Sequence, residues 1–181
     1  MPEYKAFDEQ VEVKGAAILA TLQGIDSELV TPVAQKFGLV DVQAGEWYPQ
    51  QAWLDTLKAL DETQLGGTLN LVAVGMKIPD TADWPAEINS FEAALFSIDE
   101  AYHMNHRHGE IGHYQAERIN DQQIDVICNN PYPCYFDYGI VYAVAHRFTP
   151  KGGYTVTHDE RACRKRGDSA CVYHVKWRAQ G

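Results

Sequence analysis

Positive charge is scarce in this chain: 15 lysines and arginines face 25 aspartates and glutamates, a formal net charge of −10 over 181 residues. Phosphate backbones and anionic bilayer faces are bound by basic surfaces, so the deficit argues against a nucleic-acid partner and against docking on a membrane. Long apolar runs are missing as well. The first twenty residues carry acidic side chains and no stretch that would serve as a secretion signal or a spanning helix, so the expected location is the cytoplasm. Cysteine is limited to four residues. In a reducing compartment a cluster of them points to a metal rather than to disulfides. There is also no internal repeat, no low-complexity tract, no cofactor fingerprint and no evident acid/base pair, so an enzyme is not the leading expectation.

What is present divides by pattern into a helical first part, 1–106, and a sheet-bearing second part, 107–178, expected to form one unit across 1–181. Helical spacing is read over Gly15 to Leu22, over Ser27 to Phe37 with Gly38 as its stop, after Pro49 (Trp53, Leu54, Leu57, Leu60) and over Gly67 to Lys77. A long helix is expected from Asp83 to His106, with Ile88, Phe91, Leu95, Ile98 and Tyr102 on one stripe. The period then changes to two. Glu110 to Ile119 and Gln122 to Cys128 read as paired strands. A mostly apolar helix follows over Phe136 to Phe148, then a turn around Pro150, a strand from Tyr154 to Ala162 and a last strand from Ala170 to Trp177. Helices followed by β-β-α-β-β define an α+β fold with an antiparallel sheet.

The sharpest local feature is Glu160-x2-Cys163-x7-Cys171, with Cys134 upstream at the expected helix start. A hairpin turning at Gly167-Asp168 brings Cys163 and Cys171 together, and the helix dipole favours a thiolate at Cys134. Three thiolates and a carboxylate make a closed tetrahedral zinc site, structural rather than catalytic because no position is left for a reacting water. Arg161, Arg164, Lys165 and Arg166 would offset its charge. His158, two residues before Glu160, is an equally good fourth donor. The plain alternative is that the thiols are reduced and buried as small hydrophobes, as expected of Cys128.

Cys134-x4-Gly139, Gly153 and the Glu160/Cys163/Cys171 spacing together resemble the 4-vinyl-reductase-type (4VR) domain, above all its version in the sensor modules of bacterial phenol-responsive activators. The resemblance covers about residues 110–177. It implies a zinc held by Cys134, Glu160, Cys163 and Cys171. It also implies the fold group shared by TRAPP vesicle-tethering subunits and haem-based nitric-oxide sensor domains, the NO-signalling/Golgi-transport ligand-binding-like fold. Members of that group enclose an apolar cavity, and its sensor and TRAPP members commonly form homodimers.

Two further clusters bear on a ligand. His103, His106, His108 and His113 crowd one stretch, where they line a pocket, ligate a second metal or haem, or simply cap the end of a helix at Gly109. Trp47, Tyr48, Trp53, Trp84 and the aromatics from Tyr132 to Tyr138 could wall a cavity or fill an ordinary core. The candidate ligand-binding residues are Trp84, Tyr102, His103, His106 and His113. The expected function is a small-molecule sensor that binds an apolar or aromatic ligand and signals through a partner protein. The alternatives are a haem or gas sensor, and an enzyme or carrier acting on a tetrapyrrole or aromatic compound.

Overall fold

The computed structural model describes residues 3–22, 27–62, 67–148 and 152–178. Strand β1 (Glu12–Lys14) leads into helix α1 (Gly15–Leu22), followed by α2 (Ser27–Lys36), β2 (Trp47–Pro49), α3 (Gln50–Asp61), α4 (Gly67–Thr81), α5 (Phe91–Phe96) and α6 (Ile98–Met104). Then come β3 (His106–Arg107), β4 (His113–Asn120), β5 (Gln123–Asn129), α7 (Cys134–Arg147), β6 (Tyr154–His158) and β7 (Cys171–Trp177). The expected α+β architecture and its β-β-α-β-β C-terminal unit are both present, β4 to β7 forming an antiparallel sheet in the order β4-β5-β7-β6. The turn expected at Pro150 lies outside the described residues.

Alternation on this sheet fixes which face is inner. Ile124, Val126 and Cys128 on β5, with Cys171, Tyr173 and Val175 on β7, are buried on one side, while Gln115, Glu117, Thr155, Thr157 and Lys176 face out. Helix α7 lies against the inner face, and α4 packs on α7. That packing is unusually close because it falls on glycine. A Cβ at Gly75 would sit 2.1 Å from the Phe136 carbonyl oxygen, and one at Gly139 would sit 2.2 Å from that of Val72. The apolar interior runs from this contact to Trp53, Leu54 and Leu57 of α3, each fully buried. Burying such a side chain contributes about 1.5–3 kcal/mol.

The long helix expected over Asp83 to His106 is instead two short helices preceded by an irregular segment. Ser90 is the reason for the late start: its hydroxyl accepts a hydrogen bond from the Ala93 amide at 3.1 Å, capping α5. A cap of this kind favours initiation by about 1 kcal/mol. At the other end the helix stops at Met104, so His103 and His106 do not share a face. His106 instead joins a small sheet of order β2-β1-β3, whose strands of two or three residues are too short to show an alternating pattern.

Candidate metal cluster and buried cavity

The C-terminal sheet and helix α7 bring four side chains to one point. The ligand atoms of Cys134, His158, Cys163 and Cys171 all lie within 4.8 Å of one another. Cys134 sits at the first position of α7, His158 at the last of β6 and Cys171 at the first of β7, while Cys163 comes from the loop between those strands. The three thiols are buried and unpaired by disulfides. Cys134 Sγ and Cys163 Sγ are 3.9 Å apart. That is near the about 3.8 Å edge of a tetrahedron with zinc–sulfur bonds of about 2.3 Å, and far from the about 2.05 Å of a disulfide. His158 Nε2 is buried with no hydrogen-bond partner, and its ring stacks on Tyr173 at 5.0 Å. A buried ring nitrogen beside three sulfurs is a donor set suited to zinc.

Glu160 is not part of this group. Strand β6 ends at His158, so the alternation that would bring Glu160 to the same face stops two residues short, and Glu160 is exposed in the turn that follows. Beside the three thiols the structure places His158, the other donor weighed from the sequence. The strand expected to reach Ala162 is thus shorter, and a 3-10 turn at Arg164–Arg166, closed by Gly167 at φ 95°, carries Cys163 back to the cluster.

Supporting contacts hold each ligand. The Cys134 amide donates to Glu3 Oε1 at 2.8 Å, the Cys163 amide to Asp168 Oδ2 at 3.0 Å, and the Tyr173 hydroxyl to the Cys134 carbonyl at 2.5 Å. Among the thiols, the hydrogen bond from Cys134, helped by His158 and the Arg164 guanidinium, pulls Cys171 well below the ordinary thiol range against the cost of burial. The same hydrogen bond, together with burial, pushes the Cys134 thiol up, contrary to the thiolate expected there from the helix dipole. A divalent cation would displace the remaining thiol protons. Of the four basic residues near the cluster, Arg164 alone is buried. Arg161 pairs with Asp159, Arg166 donates to the Glu160 carbonyl at 2.7 Å, and Lys165 lies over the Tyr135 ring.

A second feature lies between the helices and the sheet, a cavity of about 40 Å³ lined by Val13, Trp53, Trp84, Ile98 and Phe136 among others, with no acidic or basic side chain except the imidazole of His106. Trp84, Tyr102 and His106 are in its wall; His103 and His113 are not. His103 is exposed at the end of α6, its Nδ1 2.9 Å from the Asp99 carbonyl, and His113 begins β4. His106 is buried with both ring nitrogens engaged. A carbonyl only accepts, so Nδ1 carries the proton it gives to Tyr102 O at 2.8 Å, and Nε2 accepts from the Tyr132 hydroxyl at 2.7 Å. Burial pushes the imidazole down to about 4. Tyr114 and Tyr132 complete this polar edge. Tyr132, with Trp53, Trp84 and Phe136, belongs to the aromatic set read from the sequence as a candidate cavity wall; Tyr114 does not, because a single tyrosine on a strand gives no pattern that marks such a wall.

Helices packed on an antiparallel sheet, with an apolar space at their junction, define an α+β architecture. It is the H-NOX fold. An H-NOX protein from S. oneidensis in the Fe(II) state superposes with a TM-score of 0.67 at 14% identity, covering 93% of this chain and 97% of that one. An unliganded Fe(II) H-NOX variant from K. algicida gives 0.66 at 14% identity, covering 93% and 98%. A further H-NOX structure, solved to probe the function of haem distortion, gives 0.65 at 14% identity, covering 92% and 94%. No family model matches the sequence, and no curated protein does. The fold group implied by the sequence resemblance is therefore the one observed, and identities this low speak for the fold alone. No helix among the described residues is long and apolar enough to cross a membrane.

Proposed function

We propose that this chain is a sensor domain that admits a small, gas-sized apolar molecule to its buried cavity, while a zinc ion on Cys134, His158, Cys163 and Cys171 fixes the C-terminal unit. The sensing part is carried by the largely apolar cavity with one polar edge, the His106–Tyr132 pair, on a fold shared with H-NOX proteins. Its size speaks for a ligand smaller than the aromatic compound expected from the sequence. A cavity of about 40 Å³ exceeds the roughly 10–15 Å³ that holds a water and falls well below the ~150 Å³ that holds benzene. The zinc part is carried by the four-atom donor set and supported by the resemblance to the 4VR-type phenol sensors. On the same resemblance, the chain acts as a homodimer that passes its state to a partner protein.

A haem-based gas sensor is the second reading, favoured by the likeness to H-NOX structures in Fe(II) states and by a buried histidine in the cavity wall. As folded, the residues do not fit that group. His106 Nε2 already accepts from Tyr132, no lysine or arginine lines the cavity to meet propionates, and the space is too small for a macrocycle.

A ladder of probes of increasing size separates these readings. With elemental analysis showing one zinc per chain, xenon should bind and shift in the xenon NMR spectrum, while haemin should give no shifted Soret band. Haemin binding that is lost in His106→Ala would transfer the assignment to the haem reading. Protein purified without chelator and free of zinc would remove the metal from the proposal.

A further inference from the structure

The two sites are joined by one buried side chain. Arg164 follows Cys163 in the chain, and neither its side chain nor that of Asp137 has any exposed surface. Its Nε and its backbone amide both donate to Cys171 Sγ at 3.4 Å. The other edge of the guanidinium grips two acceptors: Nη1 donates to the carbonyl and, at 2.8 Å, to Oδ1 of Asn130, and Nη2 pairs with Asp137 Oδ2. Each of these partners holds one tyrosine of the cavity wall. Asp137 Oδ1 accepts from the Tyr114 hydroxyl at 2.5 Å, and Asn130 Oδ1 accepts from the Tyr132 amide at 2.9 Å. Tyr132 then donates to His106, and the Tyr114 ring meets Tyr102 edge-on at 5.0 Å.

We infer that Arg164 is a positioning residue that links the two sites: bonded to a metal-ligand sulfur on one side and to the holders of Tyr114 and Tyr132 on the other, it makes cation binding at the cluster and ligand binding in the cavity mutually dependent. The inference rests on the metal reading above. Its physical basis is the rigid fork of arginine, which fixes the relative positions of three acceptors at once as no lysine can. A cation that orders Cys171 Sγ orders this fork, and through it the cavity wall. Linkage is reciprocal, so a ligand in the cavity favours the same arrangement of the sulfurs. An ion pair that served the fold alone would stabilise the protein without making one site sense the other.

The test measures xenon affinity by NMR in zinc-loaded and chelated protein. Zinc should tighten xenon binding by about five-fold, the lower end of measured couplings. In Tyr114→Phe, which cuts one of the two branches from Arg164, the ratio of xenon affinities in loaded and chelated protein, each measured in the variant, should shrink. Arg164→Lys, which keeps the charge and loses the fork, should do the same. Replacing zinc by cadmium provides a second arm that needs no chelated form: its longer metal–sulfur bonds should move the bound-xenon shift in the wild type and move it less in Tyr114→Phe. Equal affinities in loaded and chelated wild type, or a zinc effect undiminished in both variants, overturns the linkage. Cobalt substitution keeps the two claims apart. A thiolate-to-cobalt charge-transfer band shows the cluster binding metal whatever xenon does, and its absence overturns the metal reading and the linkage together.

Discussion

The cysteine cluster and the cavity are both buried and both touch helix α7, yet they are held together by opposite means. At the cluster nearly every group is polar, and apart from His158 Nε2 these groups have partners of complementary charge or hydrogen-bonding type: Cys171 with Arg164, Arg164 with Asp137, Cys163 with Asp168, Cys134 with Glu3. At the cavity the wall is mostly carbon, and its polar groups, Asn105, the His106 imidazole and three tyrosine hydroxyls, are hydrogen-bonded within the protein. A polar interior loses its stability in large steps when one member is removed, because the remaining charges are left without water or partner. An apolar interior loses it in proportion to the volume removed. The two regions should therefore answer differently to mutation, metal and acid.

The largest effect should come from the cation. Chelation, or the double change Cys163→Ser and Cys171→Ser, should lower the unfolding free energy by several kcal/mol, below the ceiling on the order of 10 kcal/mol seen for small zinc peptides. Thermal unfolding with and without chelator, scored beside zinc content, measures it. An unfolding midpoint indifferent to chelation in zinc-bearing protein would erase the contrast between the regions.

Next in size is the buried ion pair. Arg164→Leu leaves the Asp137 carboxylate without its counter-charge, at a cost of about 3–5 kcal/mol. Burial already raises Asp137 to about 7, even with Arg164 opposing it. Replacing Asp137 as well, in an Arg164→Leu, Asp137→Leu double variant, should restore part of the loss. A double variant as unstable as the sum of the singles, read in denaturant titrations, would mean that the pair is not the unit proposed here.

Acid should separate the regions at the cavity. His106 is held down to about 4 by burial against an ordinary 6.5. Its folded form therefore resists the proton that the unfolded chain takes up, and stability falls as pH drops from about 6.5 to about 4, then levels off once both forms are protonated. The shift corresponds to roughly 3 kcal/mol at most. Loss of thiolate–metal bonds also contributes on the acid side, so the informative quantity is the difference between wild type and His106→Gln across that window. Parallel curves would show that the imidazole carries no such cost.

How far each region was legible in the sequence follows from the same contrast. The cluster was visible because ligand chemistry restricts residue type: cysteines at Cys134, Cys163 and Cys171 stand out among 181 residues. What spacing could not decide was the fourth donor, since that depends on where strand β6 stops; it stops at His158 and leaves Glu160 in a turn. Arg164 was noticed as one of four basic residues near the site, but only packing distinguishes the buried one from Arg161, Lys165 and Arg166. The sheet and helix α7 followed from period two giving way to an apolar helix. The cavity was far less legible. Aromatic and aliphatic side chains look alike in a sequence whether they fill a core or wall a space. The cap at Ser90, which delays the expected long helix, is a local hydrogen bond that an apolar stripe running through it conceals, and it is the separate stop at Met104 that places His106 in a strand.

The smallest expected effect tests the polar edge of the cavity most directly. The Tyr132 hydroxyl donates to His106 Nε2 at 2.7 Å and receives the Gln50 amide at a long 3.4 Å. Tyr132→Phe keeps the ring, which stacks on Phe136 at 5.0 Å, so packing is preserved and only these bonds are lost. The cost should be about 1 kcal/mol, the net worth of a buried hydrogen bond, readable as a small drop in the denaturation midpoint at unchanged slope. The change also frees the one lone pair on His106 that iron would need. Haemin added to Tyr132→Phe therefore discriminates further: if the tyrosine is what keeps His106 from a metal, a Soret shift should appear in the variant and not in the wild type. If neither protein shifts, the small apolar volume, rather than the occupied nitrogen, is what keeps the macrocycle out.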